Sequence, residues 1–148
     1  MTTIAFDGKT IACDSQATID ECIKYRVDKH AAIGQVDIWV AGDLSKKQKF
    51  VDSLKYYKGK DLCIDSEEFE DIDAFIFYRP SRKLYIFLGK DLVIEATDRF
   101  ALGSGRDFAI AAMSCGLNAT EAVLKASELD LYTDSNIKTF DLKKKAFV

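Results

Sequence analysis

The sequence is poor in the residues that most often announce chemistry or mark a boundary. It has one histidine, His30, and its four cysteines (Cys13, Cys22, Cys63 and Cys115) form no CxxC pair. That argues against a zinc site and fits reduced thiols in a cytoplasm. Its only proline is Pro80, and no Gly/Ser-rich linker interrupts it, so the 148 residues read as one domain, 1–148, without repeats. No apolar run approaches membrane-spanning length and no apolar signal segment opens the chain, so no membrane partner is expected. Charge of one sign is also scarce: 21 basic and 24 acidic residues interleave to a net −3, which argues against nucleic acid as a partner. The short run Lys143-Lys144-Lys145 reads as the solvated part of a last strand rather than a phosphate patch.

What is present suits a folded core. A 48% hydrophobic content excludes a disordered chain. Thr2 to Phe6 and Thr10 to Ser15 flank Asp7-Gly8, the dipeptide that favours a two-residue turn, and so predict a hairpin. Further strands are expected near Cys22 to Val27 and Ala31 to Ala41, and over Ala74 to Tyr78 and Leu84 to Leu88 around Arg79-Pro80-Ser81-Arg82. Asp91 to Ala96 and Thr139 to Val148 complete the strands. Helical spacing runs from Leu44 to Tyr57, where Phe50, Val51, Leu54 and Tyr57 make one stripe. It recurs from Gly105 to Cys115, and again after Asn118, with Glu121 in capping-box position, as far as about Leu129. Hairpin-joined strands with grouped helices predict an α+β fold, and two stacked antiparallel sheets with helices outside would accommodate it.

The chain's start carries the chemistry. Met1 precedes a small residue and is expected to be trimmed, leaving Thr2 at the N-terminus. An N-terminal threonine can act as nucleophile with its own α-amine as base, because a free α-amine ordinarily titrates at about 7.7–8.0. Met-Thr-Thr is also an ordinary protein beginning. Three ordered segments strengthen the chemical reading: Thr2-Thr3-Ile4 with Ala12-Cys13-Asp14-Ser15-Gln16-Ala17-Thr18, then Ala101-Leu102-Gly103-Ser104-Gly105, then Leu131-Tyr132-Thr133-Asp134. Together they resemble the proteasome β-subunit and HslV-type N-terminal-nucleophile (Ntn) hydrolases, nearly end to end.

The resemblance implies a four-layer αββα sandwich of two antiparallel sheets flanked by helices, a homo-oligomeric ring, and threonine-type endopeptidase activity on peptide or unfolded protein without metal or cofactor. It casts Thr2 as nucleophile, Asp14 as counter-charge, Lys29 as the cation beside the hydroxyl, and Ser104 as partner of the amine. An ammonium beside the threonine oxygen would lower the hydroxyl's pKa, and burying it requires an anion. Each residue also has a plainer reading: Asp14 as a turn cap, Lys29 as a solvated charge, Ser104 as a helix cap. Counting from Lys29 puts Trp39 where the family has a substrate-binding glycine; a short gap in the preceding hairpin puts Gly42 there, and Gly42 is the substrate-binding candidate. The family's later acidic residue corresponds to Glu128 or Asp130. The stretch from about Lys58 to Asp73 is shorter than the family's second helix, with only Asp65 to Phe69 left as a helical turn, which weakens the case for an ATPase unfoldase partner. Two other functions fit the residues: a catalytically inactive ring or scaffold homologue, and an Ntn amidase acting on a small amide.

Overall fold

The computed structural model describes residues 2–19, 22–59, 64, 67–89 and 92–148. Met1, Cys63, Asp65, Ser66 and Asp91, to which expectations above attach, lie outside the described residues. The chain starts with two hairpins, β1 (Thr3–Phe6) with β2 (Thr10–Cys13) and β3 (Gln16–Ile19) with β4 (Ile23–Arg26). It continues through β5 (His30–Ile33), β6 (Val36–Gly42), a 3-10 turn (Leu44–Lys46), α1 (Lys47–Ser53), β7 (Ile72–Tyr78), β8 (Lys83–Leu88) and β9 (Leu92–Glu95). The last elements are β10 (Phe100–Gly103), α2 (Arg106–Ser114), α3 (Ala119–Leu129), β11 (Lys138–Asp141) and β12 (Ala146–Phe147). The chain forms two compact units, Met1–Lys29 with Thr97–Val148, and His30–Ala96.

In the first unit a five-stranded antiparallel sheet has the order β10-β1-β2-β11-β12. Ala5 pairs with both Ala12 and Ala101, which places small residues side by side on one sheet face. Helices α2 and α3 pack on them through Ala109, Ala112 and Met113, and through Ala119, Ala122, Val123 and Ala126. Side chains this small let helix and sheet backbones approach closely. The first hairpin turns one residue later than expected, at Gly8-Lys9, because Phe6 pairs with Ile11 and Asp7 N–H donates to Thr10 O at 3.2 Å. The Asp7 carboxylate accepts from the backbone N–H of Lys9 (2.9 Å) and Thr10 (2.8 Å), and also from Ala119 N–H at the start of α3 (2.9 Å). Burial acts to raise the Asp7 pKa, but these donors prevail and hold it below 3.8. The expected capping box closes α3: Asn118 accepts from Glu121 N–H at 2.9 Å, and the Glu121 side chain accepts from Asn118 N–H at 3.1 Å.

The second unit is an antiparallel meander in the order β5-β6-β7-β8-β9. Val36, Ile38 and Val40 alternate along β6 and pack with Phe50, Val51 and Leu54 from α1 and its C-terminus, and with Phe69 and Phe87. Phe50 meets Phe69 edge-on and Phe87 at a tilt, with centroids 5.1 and 5.2 Å apart.

Three further expectations need correction. The helix over Leu44 to Tyr57 is only Lys47–Ser53. Asp43 tightens its start into the 3-10 turn by accepting from Ser45 N–H, and Ser53 Oγ donates back to Phe50 O at 2.6 Å as it ends. The segment Ala31 to Ala41 is a hairpin, β5–β6, turned at Gly34-Gln35 with Gly34 at φ +55°. The closing strand is likewise two strands, β11 and β12, because Lys145 (φ 54°) turns the chain back.

Candidate active site

The order of the first unit's sheet brings three distant parts of the sequence together. β1 lies between β10 and β2, so Thr2, just before it, lies near the residues that follow β2 and β10, Asp14 and Ser104. Asp14 N–H donates to Thr3 O at 3.2 Å and continues the hairpin past its last pair, which aims the Asp14 carboxylate back at Thr2. Gly103 pairs with Thr3 on the other side, with φ +93°. A Cβ on Gly103 would lie 1.8 Å from Thr2 O, and one on Gly105 would lie 2.1 Å from Thr3 Oγ1. Gly103 is therefore held to glycine by its backbone and by Thr2 O, a side chain at Gly105 would displace Thr3 Oγ1, and Ser104 lies between them.

Thr2, Asp14 and Lys29 are at most 2% exposed. Thr2 Oγ1 hydrogen-bonds Asp14 Oδ1, and Lys29 Nζ donates both to Thr2 Oγ1 and to Asp14 Oδ1, the latter at 2.6 Å. Asp14 is fixed by further donors: Thr3 N–H (3.1 Å) on Oδ1, and Gln16 N–H (3.3 Å) and Asp134 N–H (3.2 Å) on Oδ2. Burial pushes the Lys29 ammonium below its ordinary 10.5, and the charge and hydrogen bond of Asp14 oppose that. Burial also pushes the neighbouring Cys13 thiol up to about 12, so Cys13 packs as a protonated, apolar side chain.

A second cluster adjoins the first. Ser104 Oγ lies 2.6 Å from Asp130 Oδ2 and 3.4 Å from Thr2 O; its single proton goes to the nearer carboxylate. Thr133 Oγ1 also donates to Asp130 Oδ2 (2.6 Å) and lies 2.7 Å from Thr3 Oγ1. Of the two acids named above, Glu128 pairs with Lys125 on the exposed side of α3, whereas Asp130 accepts from Ser104. Thr133 and Asp134 are the residues that sequence reasoning named in a motif without assigning a role. The signal was there, since both follow the end of α3 within four residues of Asp130.

Gly42, the substrate-binding candidate, belongs to the second unit. It is exposed at the end of β6 with φ +98°, and Asp43 N–H beside it donates to Asp71 O at 3.0 Å. Trp39, the alternative to it, is fully buried within β6 and lies 5.1 Å from the His30 ring. Among the described residues no cluster of histidine, cysteine and acidic side chains has the grouping of a metal site.

No protein-family model matches the sequence, and no curated protein matches it. Solved structures do match the fold. BPH of Thiobacillus denitrificans is 17% identical with a TM-score of 0.73, over 95% of this chain and 97% of that one. The same protein in complex with epoxomicin is 18% identical with a TM-score of 0.72, over 95% and 98%. The eukaryotic HslV of Trypanosoma brucei is 21% identical with a TM-score of 0.71, over 93% and 96%. The α+β architecture read from the sequence is thus the sandwich of these structures, and the chain has the HslV and proteasome β-type Ntn-hydrolase fold.

Proposed function

We propose that the chain is a proteasome- and HslV-like threonine peptidase whose nucleophile is Thr2 after loss of Met1. One observation carries the reading: the Thr2 hydroxyl is buried against a lysine and an aspartate that also pair with each other. Removing two charges from water costs several kcal/mol per ion before their attraction offsets it. A scaffold has no physical need to place that pair on a threonine hydroxyl. The ammonium stabilises developing negative charge on Thr2 Oγ as it attacks a peptide carbonyl. The Oγ proton passes to the free α-amine, which returns it to the leaving nitrogen as the C–N bond breaks. Water then attacks the resulting ester on Thr2, releases the acid and restores the hydroxyl.

Substrate, assembly and location belong to the same proposal. A peptide or unfolded protein chain is the substrate, with Gly42 at the end of β6 offering backbone to it, inside a homo-oligomeric ring in the cytoplasm. An ATPase unfoldase stays outside the proposal, because the stretch expected to meet it is shortened.

Intact mass of the purified protein before and after epoxomicin, the ligand in the Thiobacillus denitrificans complex, tests the reading. An epoxyketone forms its stable ring adduct only with a hydroxyl and a free α-amine on one residue. One adduct mapped to Thr2 is expected. No adduct on Met-trimmed protein would replace the peptidase with an inactive ring homologue. Adduct formation by a monomer that turns over only small amides would replace it with an amidase.

A further inference from the structure

Thr3 is the residue at which the two clusters beside Thr2 meet. Its N–H donates to Asp14 Oδ1 at 3.1 Å, and its Oγ1 lies 2.7 Å from Thr133 Oγ1. Strand alternation separates the two contacts. The Thr2 side chain points to Asp14 and Lys29, while that of Thr3 shares the face of Ala5, on which α2 and α3 pack. Thr3 is 0% exposed and Thr133 4%, so bulk water does not replace a hydroxyl lost there. A buried hydroxyl costs stability unless it is bonded, and an aliphatic side chain would fill the same space without that cost. The chain even leaves room for this one: a Cβ on Gly105 would lie 2.1 Å from Thr3 Oγ1 and 3.2 Å from Thr133 Oγ1.

Proton counting gives the Thr3 hydroxyl a direction. Each hydroxyl has one proton to donate. That of Thr133 goes to Asp130 Oδ2 at 2.6 Å, so Thr133 accepts at its contact with Thr3, and Thr3 is the donor. The bonds therefore run one way, from Thr3 to Thr133 to Asp130 Oδ2, where the proton of Ser104 also arrives at 2.6 Å. We propose that Thr3 is a positioning residue for Ser104, its hydroxyl fixing the direction of the hydrogen bonds that end on Asp130. With its proton on Asp130, Ser104 Oγ is left as an acceptor beside Thr2, 3.4 Å from Thr2 O, and can take an N–H of the free α-amine. This rests on the reading of Thr2 as nucleophile with its amine as base. Without the Thr3 proton, the Thr133 oxygen loses its donor and the chain of mutually polarised bonds on Asp130 is one member shorter.

Thr3→Val removes the hydroxyl but keeps the branched shape and the backbone N–H on Asp14. Thr3→Ser keeps the hydroxyl and loses the methyl. Epoxomicin addition, followed by intact mass over a range of inhibitor concentrations, separates the limiting rate from the half-saturating concentration. Thr3→Val should lower the limiting rate about five- to tenfold, the worth of one ordinary hydrogen bond, with half-saturation unchanged. Thr3→Ser should restore the wild-type rate. A wild-type limiting rate in Thr3→Val would overturn the proposal, and so would an equal loss in Thr3→Ser, which would assign the effect to the methyl. A change confined to half-saturation would also overturn it, because the role would then lie in binding. A cycle with Thr133→Val tests the route: in that background Thr3→Val should cost less than about a further twofold, and a full second loss would overturn the route through Thr133. If Thr3→Val does not fold, Thr3→Ala removes the same hydroxyl and is read the same way. Failure of wild type to react would end the nucleophile reading and this proposal with it. A reactive wild type matched by Thr3→Val would end this proposal alone.

Discussion

Thr2→Ala removes the hydroxyl and the γ-methyl and leaves the Lys29–Asp14 pair in place. We expect no epoxomicin adduct and no peptide turnover, with a thermal unfolding midpoint close to wild type. Turnover equal to wild type would exclude Thr2 as nucleophile. Asp7 offers a test by acid. Its folded pKa lies below 3.8, so its stabilisation is complete above the unfolded value and is lost as pH falls through the folded one. Asp7→Asn should therefore be less stable than wild type at neutral pH, and the gap should close in urea titrations carried toward about pH 2, well below the ordinary carboxylate range. Thr2, Asp14 and Ser104 could be singled out in the sequence because each sits in one of the three ordered segments, whereas Lys29 sits in none of them and was named only through the resemblance. The choice of Asp130 was not legible, because two acids flank the end of α3 and only the helix's C-terminal turn decides which faces Ser104. Asp134 stood in a named segment, but its contacts with Ser15 and Asp14, 119 and 120 residues away, were not readable from it.

Among elements, the segment between β10 and α2 is the least tolerant. Gly105→Ala would drive a Cβ to 2.1 Å from Thr3 Oγ1 and 3.2 Å from both Thr133 Oγ1 and the Ala126 side chain. We expect at least about tenfold slower epoxomicin addition, because an error of about 1 Å at a nucleophile costs more than that. An unchanged rate would show that the segment yields without moving Thr2. At the other end of the same region, Asn118→Ala removes the capping box of α3 and should cost about 1 kcal/mol in chemical denaturation with activity retained. That box and the first hairpin were readable because a cap and a tight turn are local, although the turn centres on Gly8-Lys9 rather than Asp7-Gly8. The shortened α1 was not, since Leu54 and Tyr57 continue its apolar stripe after the backbone has left the helix. The split strands followed the same logic: apolar patterning runs through a turn whose only mark is one residue at positive φ, Gly34 or Lys145.

For the whole molecule the governing fact is that the first unit is built from both ends of the chain. β1 pairs with β10 across nearly a hundred residues, and β2 pairs with β11 at an even greater separation. Loop closure must precede such contacts, so refolding should be slow, in the millisecond-to-second range of non-local β topologies. A chain ended after Ser135 lacks β11 and β12, and leaves the β2 edge of Ile11 and Ala12 without its partners Phe140 and Thr139. We expect that truncation to give no epoxomicin adduct and rapid proteolysis of the first unit; an adduct at the wild-type rate would show that β11 is dispensable.

The same arrangement bears on the order in which the proposed site is assembled during synthesis. Thr2 leaves the ribosome early, whereas Asp130, Thr133 and the strand that covers β2 emerge last. Asp14 and Lys29 are made soon after Thr2, but for most of its synthesis the nascent polypeptide lacks the Ser104–Asp130–Thr133 cluster that adjoins them. On the proposed reading, the order of synthesis itself delays hydrolysis until those residues have been made.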